Sequence, residues 1–360
     1  MIGLIDLPED DLLTAEENKI AGSCEWLTSK SNFDGWKNLW SDAPPIFWLT
    51  GMPASGKSVL SSHVIECIEG HNLDCSYFFF KNGVAKKSTL SDLLRSLAYQ
   101  MAIGNADIRR QLLLIEADGV NYDKNDERAV WRKLFINGIF LVKPFAPHYW
   151  VIDALDECSK IQGLFSMLSK IEEDFPLRIF ISSRKLHDIE RGMVELGDKV
   201  FHQEIRAADT LNDIRAFVAS RMDRLLVGDD EGRTSLSERI LSKANGSFLW
   251  VRLVIQELEK SFSEEGVAEV LNDIPADMNQ LYARTLESMS NLGRTSKLAR
   301  SILTWTVCAA RPLMVEELQS AIKLDTNETV LNLEKSVSSM CGQLVFVDQQ
   351  GRVQVRGCSS

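Results

Sequence analysis

Residues 51–58 read GMPASGKS, and they lie between an apolar run, IFWLT (46–50), and the segment VLSSHVIECI (59–68). A glycine-rich loop that follows a buried strand and opens a helix is the structural context of a phosphate-binding loop. Small residues let successive backbone N–H groups curl around a phosphate, and the helix N-terminus adds the positive end of its dipole. The stretch therefore predicts an α/β fold with a nucleotide site at Gly51, Met52, Pro53, Ala54, Ser55, Gly56, Lys57, Ser58 and Val59.

Two side chains of this loop have distinct chemical tasks. The Lys57 ammonium is placed to neutralise β- and γ-phosphates, and the Ser58 hydroxyl is a ligand for Mg²⁺, which prefers oxygen atoms. The alternative interpretation is a glycine-rich turn between a strand and a helix that binds nothing.

The segment YWVIDALDEC (149–158) supplies a second group of polar residues. A strand that ends at Asp153 directs its carboxylate toward the loop, because ligands bind at the carboxyl ends of strands in open α/β sheets. We expect Asp153 to hold Mg²⁺ through water. Fast P-loop ATPases place a glutamate directly after this aspartate, whereas this chain has Ala154, so Asp156 or Glu157 is predicted to position the attacking water less efficiently. Acidic helix caps without a metal or catalytic role are the alternative for these carboxylates.

The segment FISSRK (180–185) predicts the end of another strand. In P-loop folds with an inserted strand, this strand lies between the loop strand and the Asp153 strand. Arg184 at its tip is then expected to point at the γ-phosphate, which Ser182 or Ser183 could also sense. A solvated surface arginine is the alternative.

Apolar runs alternate with helical patterns up to about residue 208, which predicts a parallel five-stranded sheet flanked by helices. The predicted strands are 45–50, 74–80, 148–153, 177–183 and 201–205, and the predicted helices are 57–70, 88–102 and 163–171. Only helices follow, and the chain then alternates apolar and polar residues around Asp348 to Gly351, which indicates a hairpin. The predicted later helices are 211–226, 236–244, 248–262, 278–289, 297–310 and 315–322. Helices followed by one hairpin suggest a winged-helix module.

Composition narrows the class of protein. The formal net charge of −11 argues against a generic nucleic-acid binder, which needs a basic surface. The 7 cysteines form no CxxC pair, so we interpret them as reduced thiols. The acidic N-terminus does not resemble a signal peptide and no apolar run is long enough to span a membrane, so a cytoplasmic location is the expectation. The five histidines show no metal-ligand spacing, and Trp131, Trp250 and Trp305 are predicted to be core residues.

The order of these motifs resembles that of a NACHT nucleotide-binding domain, a branch of the signalling ATPases with numerous domains, and the match is best with fungal members. The segment of Cys24, Trp26 and Leu27 fits the family's Cys-x-Trp-Leu pattern. We interpret Cys24 and Trp26 as packing residues near the base, with direct base contact as the alternative. Further matches are FFFKNG (78–83), LLRSLAYQM (93–101), GSFLWVRLVIQEL (246–258), IPADMNQLYARTLESM (274–289) and RPLMVEELQSAI (311–322).

The resemblance implies a switch: bound ADP keeps the domains closed, and ATP lets them rotate apart and self-associate in signalling such as fungal immunity or heterokaryon incompatibility. GTP is an equally open choice of nucleotide. The implied domains are an extension (1–20), the NACHT domain (21–207), a helical domain (208–292) and a winged helix (293–360). The expected enzyme activity is slow hydrolysis at most, and the alternatives are a scaffold with a structural nucleotide or a multiple-turnover ATPase.

Three departures from the family bear on this expectation. No effector domain precedes Cys24 and no repeats follow the winged helix, so a truncated chain is expected. The histidine that contacts the diphosphate in relatives is replaced where the chain reads Arg356, Gly357 and Cys358. The Gly-x-Pro turn of the broader class also lacks its proline, because this chain has Gly246, Ser247 and Phe248.

Overall fold

Five parallel strands form the central sheet of the first part of the chain. They are β1 (Ile46–Thr50), β2 (Asp74–Phe79), β3 (His148–Asp153), β4 (Leu177–Ser183) and β5 (Val200–Glu204). Their order across the sheet is β2-β3-β4-β1-β5, so β4 is inserted between the loop strand and the Asp153 strand. The carboxyl ends of β1, β3 and β4 therefore meet at the same edge, where Thr50 pairs with Ser183.

This computed structural model describes most of the chain. The described residues are 8–38, 42–117, 122–143, 146–171, 175–222, 230–259, 261, 263–275, 280–283, 286–287, 295–341, 344–348 and 350–355. The chain divides into two compact units, of which the first holds Met1–Met52 and Gly56–Arg206 and the second holds Ala207–Ser359, with Pro53–Ser55 grouped with the second. The finer division at residues 292 and 293 stays a prediction.

Helices cover both faces of the sheet in the first unit. They are α1 (Glu9–Glu17), α2 (Glu25–Thr28), α3 (Ser31–Lys37), α4 (Lys57–Glu69), α5 (Leu90–Gly104), α6 (Ala106–Ala117), α7 (Glu127–Val130), α8 (Gln162–Leu168) and α9 (His187–Glu195). A π-helical turn, Trp131–Ile136, continues α7, and short 3₁₀ turns span Ile139–Leu141, Leu155–Glu157 and Gly197–Lys199.

Side chains of the strands alternate between two apolar cores. Phe47 and Leu49 of β1 pack with residues of α1 to α4, whereas Ile46 and Trp48 pack with residues of α5 to α9. All five residues of β1 are buried, as expected for a parallel strand covered on both faces. The wholly apolar sequence of β1 thus follows from its position in the middle of the sheet.

The second unit consists of helices and a small antiparallel sheet. The helices are α10 (Ala207–Ala219), α11 (Asp230–Ala244), α12 (Phe248–Leu258), α13 (Glu264–Asp273), α14 (Ser296–Cys308), α15 (Val315–Thr326) and α16 (Leu333–Ser336), and a π-helical turn spans Val337–Cys341. The strands are β6 (Leu313–Met314), β7 (Val345–Val347) and β8 (Arg352–Val355), in the order β6-β8-β7. The hairpin predicted around Asp348 to Gly351 is present as β7 and β8.

Several sequence predictions need correction. Trp131 and Trp250 are buried as predicted, but Trp305 is 37% exposed, so its assignment to the core was wrong. Helices α1, α2, α3, α9, α13 and α16 and strand β6 were not predicted. The predicted helix at 278–289 lies partly outside the described residues, and Arg356, Gly357 and Cys358 lie wholly outside them.

The six described cysteines are free thiols. No helix within the described ranges has both the length and the apolar character needed to cross a bilayer.

Candidate nucleotide-binding site

The loop between β1 and α4 has the backbone geometry of a phosphate cradle. Gly56 directly precedes α4 with a left-handed φ of 85°, and Ala54 is also left-handed with a φ of 58°. The Met52 side chain is 76% exposed, Pro53 is exposed as well, and Val59 packs against the core. Glycine suits the Gly56 position because a β-carbon disfavours this conformation.

Ser55 and Lys57 are the two buried polar side chains of the loop. Ser55 is buried, and its hydroxyl has no hydrogen-bond partner among the described residues. Lys57 is 1% exposed, and its Nζ donates to the carbonyl oxygens of Gly51, at 3.2 Å, and Met52, at 2.9 Å. The ammonium thus binds carbonyl oxygens of its own loop, and it would have to leave them to contact a phosphate.

Asp153, at the end of β3, accepts hydrogen bonds from three serine hydroxyls. Ser58 Oγ donates to Oδ2 at 2.6 Å, while Ser61 Oγ and Ser182 Oγ donate to Oδ1 at 2.7 and 2.5 Å. Ser58 and Ser61 belong to α4 and Ser182 to β4. The predicted magnesium ligand Ser58 therefore lies directly against the predicted carboxylate Asp153.

Burial dominates the electrostatics of this centre. It raises the pKa of Asp153, and the hydrogen bonds from Ser182, Ser58 and Ser61 oppose that rise. Burial also lowers the pKa of Lys57, against the attraction of Asp153. Both charges pay a desolvation cost that a phosphate and a divalent cation would offset, since buried charges are stable only when they are paired.

Ala154 follows β3 in a left-handed conformation, with φ at 53° and ψ at 47°, and directly precedes the 3₁₀ turn that holds Asp156 and Glu157. The Glu157 side chain is largely buried, and its Oε2 accepts the backbone N–H of Asn82 at 2.9 Å. Burial raises the pKa of Glu157 to about 7, although the bond from Asn82 acts in the opposite direction. Glu157 is therefore a carboxylate that changes protonation near neutral pH.

Arg184 follows β4 and is paired with Asp156. Its backbone N–H donates to Asp156 Oδ1 at 2.9 Å and its Nε donates to Oδ2 at 2.5 Å. The Asp156 side chain is 3% exposed and that of Arg184 is 41% exposed. The sequence analysis assigned water positioning to Asp156 and γ-phosphate contact to Arg184, but in this structure the two residues hold each other.

The predicted phosphate sensors Ser182 and Ser183 have internal partners. Ser182 Oγ binds Asp153 and also accepts the backbone N–H of Ala154 at 3.1 Å, and Ser183 Oγ accepts from Trp48 Nε1 at 2.9 Å. Sequence reasoning missed Ser61 and Asn82. Ser61 lies one turn after Ser58, so the spacing of three residues on a helix was the available signal. For Asn82 there was none, because it acts through its backbone.

Comparison with known proteins agrees with this geometry. Residues 22–184 match the family model "Nephrocystin 3, N-terminal", and residues 286–359 match "GPI inositol-deacylase, winged helix domain". The chain is also 25% identical over 343 residues to the vegetative incompatibility protein HET-E-1 of Podospora anserina. Together with the loop geometry, these similarities support a NACHT-type P-loop NTPase domain. The match covers 90% of this chain but 25% of HET-E-1, so the chain spans about a quarter of that relative.

Two solved structures are similar to this chain at a low level. The Orc1 protein of Aeropyrum pernix, solved in complex with DNA, is 15% identical, with 96% of this chain and 92% of that chain covered and a TM-score of 0.34. A Walker-type ATPase of Pyrococcus abyssi is 12% identical, with 88% and 90% covered and a TM-score of 0.35. At these values we draw no conclusion from what either protein binds.

The residues of the NACHT domain fit the nucleotide and Mg²⁺ that P-loop NTPases use. Ser58 and Asp153 are oxygen ligands of the kind that Mg²⁺ prefers, and the unpartnered hydroxyl of Ser55 and the ammonium of Lys57 are donors for phosphate oxygens. The arrangement does not distinguish adenine from guanine nucleotides.

Proposed function

We propose that this chain is a nucleotide-operated switch whose state depends on the partner of Arg184. The observation that carries the proposal is the contact between Arg184 and Asp156 at the same sheet edge as the buried carboxylate Asp153. A γ-phosphate competes with Asp156 for the guanidinium, whereas a diphosphate leaves the pair in place. Because a ligand shifts an equilibrium only through its different affinity for two states, this competition supplies the required difference.

The roles of the other residues follow from their positions. Lys57 leaves the carbonyl oxygens of Gly51 and Met52 and neutralises phosphate charge, and the backbone N–H groups of residues 51–58 cradle the phosphates. Ser58 and Asp153 would hold Mg²⁺, which would supply neutralisation of phosphate charge when bound. Ser61 and Ser182 keep the Asp153 carboxylate oriented.

Slow hydrolysis suits a switch better than a motor, and two features support it. Ala154 has no carboxylate at the place where fast P-loop ATPases carry a glutamate. Glu157, which we propose as the base that orients the attacking water, lies in the 3₁₀ turn that follows and not directly after Asp153.

We further propose that nucleotide exchange controls self-association through the NACHT domain in a signalling pathway of the kind that causes vegetative incompatibility. The similarity to HET-E-1, whose name states that role, supports this proposal. The winged-helix match at residues 286–359 supports a regulatory module after the helical segment.

The test begins with the nucleotide that copurifies with the native chain, extracted by heat and identified by its retention and mass. Lys57→Ala is expected to abolish binding of that nucleotide, and Lys160→Ala, which changes an exposed lysine, is the matched control. Size-exclusion chromatography of the diphosphate form and of a form with a non-hydrolysable triphosphate should then give different oligomeric states.

Two results would contradict this function. Identical elution of the two forms would mean that the nucleotide is a structural cofactor of an interaction protein. Turnover above about 1 per second would instead indicate a multiple-turnover ATPase.

A further inference from the structure

A buried carboxylate on the N-terminal helix holds two lysines of the loop that follows β2. Asp11 Oδ1 lies 2.7 Å from Lys81 Nζ, and Asp11 Oδ2 lies 2.5 Å from Lys87 Nζ. The side chains of Asp11 and Lys87 are 4% and 3% exposed. Few charged side chains are this deeply buried, and they remain so only when each has a partner.

Helix α1, which carries Asp11, is fixed to the body of the first unit. Ala15 and Leu12 pack in the same core as Val64 and Ile68 of α4, the helix that opens at the phosphate loop. Asp11 therefore has a rigid base, and its two ion pairs restrain the lysine loop rather than the helix.

The loop of residues 81–87 is a closed turn. The Lys81 N–H donates to the Lys87 carbonyl at 2.8 Å, and the Lys87 N–H donates to the Val84 carbonyl at 3.1 Å. Gly83 and Lys86 have left-handed backbones, with φ at 70° and 64°. Lys86 is a non-glycine residue in a conformation that costs energy, so surrounding contacts must stabilise the turn.

This loop meets the candidate base. The Asn82 N–H donates to Glu157 Oε2 at 2.9 Å, and the Ser88 carbonyl accepts both the N–H and the hydroxyl of Ser159, at 2.9 and 3.0 Å. The lysines that Asp11 holds thus flank Asn82, whose backbone N–H is hydrogen-bonded to Glu157. A continuous series of contacts runs from α1 to the proposed hydrolytic centre.

We propose that Asp11 is a positioning residue for nucleotide hydrolysis, because it holds the loop of residues 81–87 in the geometry that directs the Asn82 N–H at the Glu157 carboxylate. The proposal rests on the role of Glu157 in the proposed function. The N-terminal helix then contributes to the hydrolysis rate, whereas nucleotide binding by the phosphate loop does not depend on Asp11.

The test compares three variants of the full chain. Asp11→Asn keeps the shape of the side chain but removes the charge, and Glu9→Gln, an exposed carboxylate on the same helix, is the matched control. Glu157→Gln reports whether Glu157 acts in hydrolysis at all. Nucleotide affinity is measured by titration with a fluorescent diphosphate, and hydrolysis by single-turnover assays across pH.

For Asp11→Asn we expect unchanged nucleotide affinity and a hydrolysis rate lower by about tenfold, since small misplacements of a positioned group have effects of this size. The acidic limb of the rate–pH profile should also move to higher pH, because loss of the Asn82 bond removes an interaction that lowers the pKa of Glu157. The charged groups that act on Glu157 are Asp156, Asp153, Arg184 and Lys57, and none of them is changed.

The outcomes separate the two proposals. If Glu157→Gln leaves hydrolysis intact, the role of Glu157 in the proposed function is wrong. If Glu157→Gln abolishes hydrolysis while Asp11→Asn matches Glu9→Gln in rate and pH profile, the positioning role of Asp11 is wrong.

Should Asp11→Asn fail to fold, Lys81→Met keeps the buried pair of Asp11 and Lys87 and removes one of the two restraints. It is expected to lower the rate in the same direction, and an unchanged rate would overturn the proposal.

Discussion

Arg184 and Asp156 are joined at two points, because the backbone N–H and the side-chain Nε of Arg184 reach different oxygens of the same carboxylate. Asp156→Asn keeps an acceptor for the backbone N–H but removes the charge that holds the guanidinium. In this variant we expect the ratio of triphosphate affinity to diphosphate affinity to rise about tenfold. This change corresponds to about 1.4 kcal/mol, the size expected for one charge-assisted hydrogen bond.

Paired titrations of diphosphate and non-hydrolysable triphosphate measure that preference. Asp188→Asn is the control, because Asp188 is an exposed partner of Arg191 on α9. Arg184→Ala should remove the preference. An Asp156→Asn protein with the original ratio of affinities would show that Arg184 does not contact the γ-phosphate.

Ser58 and Ser61 donate to the same carboxylate, yet we expect only Ser58 to matter for the metal. Ser58→Ala should weaken the gain in nucleotide affinity that Mg²⁺ provides by about 10-fold, because a direct oxygen ligand is lost. Ser61→Ala should leave that gain nearly unchanged, since Ser61 only orients Asp153. Calorimetric titrations with Mg²⁺ and with a chelator give the gain for each variant, and equal losses in both would contradict the assignment of Ser58 as a ligand.

Glu157 makes stability depend on pH. Its pKa in the folded chain is about 7, above the usual 4.5, so its contribution to stability is complete below about pH 4.5 and is lost as the pH rises toward 7. Glu157→Gln does not ionise, so its free energy of unfolding should exceed that of the original chain by about 3 kcal/mol more at pH 8 than at pH 4.5. Urea unfolding followed by tryptophan fluorescence at several pH values tests this, and parallel curves would contradict it.

Trp36 is the centre of the aromatic core beneath the sheet. It is fully buried, lies against Phe33, Phe47, Tyr149 and Phe180, and donates from Nε1 to the Pro45 carbonyl at 3.0 Å. Trp36→Ala should destabilise the first unit by about 3–5 kcal/mol through the cavity that it leaves. Leu331→Ala, at a fully exposed position, should change stability by less than about 0.5 kcal/mol. Thermal unfolding of both variants measures the difference, and a small effect at Trp36 would refute the packing.

The buried strands were predictable because both faces of the sheet are covered, so nearly all of their side chains are apolar. Strands β3 and β4 occupy the predicted residues 148–153 and 177–183, since each apolar run ends at the polar residue that begins the site. Helix α13 was missed although Val267, Val270 and Leu271 stand at helical spacing in EEGVAEVLND, and its start is marked by a cap in which Ser263 accepts the Gly266 N–H. Helices α1 and α9 are rich in polar residues, and their positions depend on tertiary contacts.

The candidate site was predictable in its residue types but not in its pairings. Spacing within the motifs indicates Ser58, Asp153 and Arg184 one by one, because each stands at the end of a regular element. The bond between Arg184 and Asp156 joins residues 28 positions apart, and the bond from Asn82 to Glu157 joins residues 75 positions apart. Sequence motifs carry no information about contacts between residues so far apart in the chain, so only the structure shows which polar groups are paired.

The left-handed backbone of Ala154 limits which residues the position after Asp153 can accept. A glutamate at that position would bring a larger side chain into a conformation that disfavours any β-carbon, and into the apolar cluster where Ala154 is 3% exposed. One substitution would thus add an unpaired buried charge instead of an efficient base. A variant with faster hydrolysis would need a different turn after β3 before a glutamate at this position could act as a base.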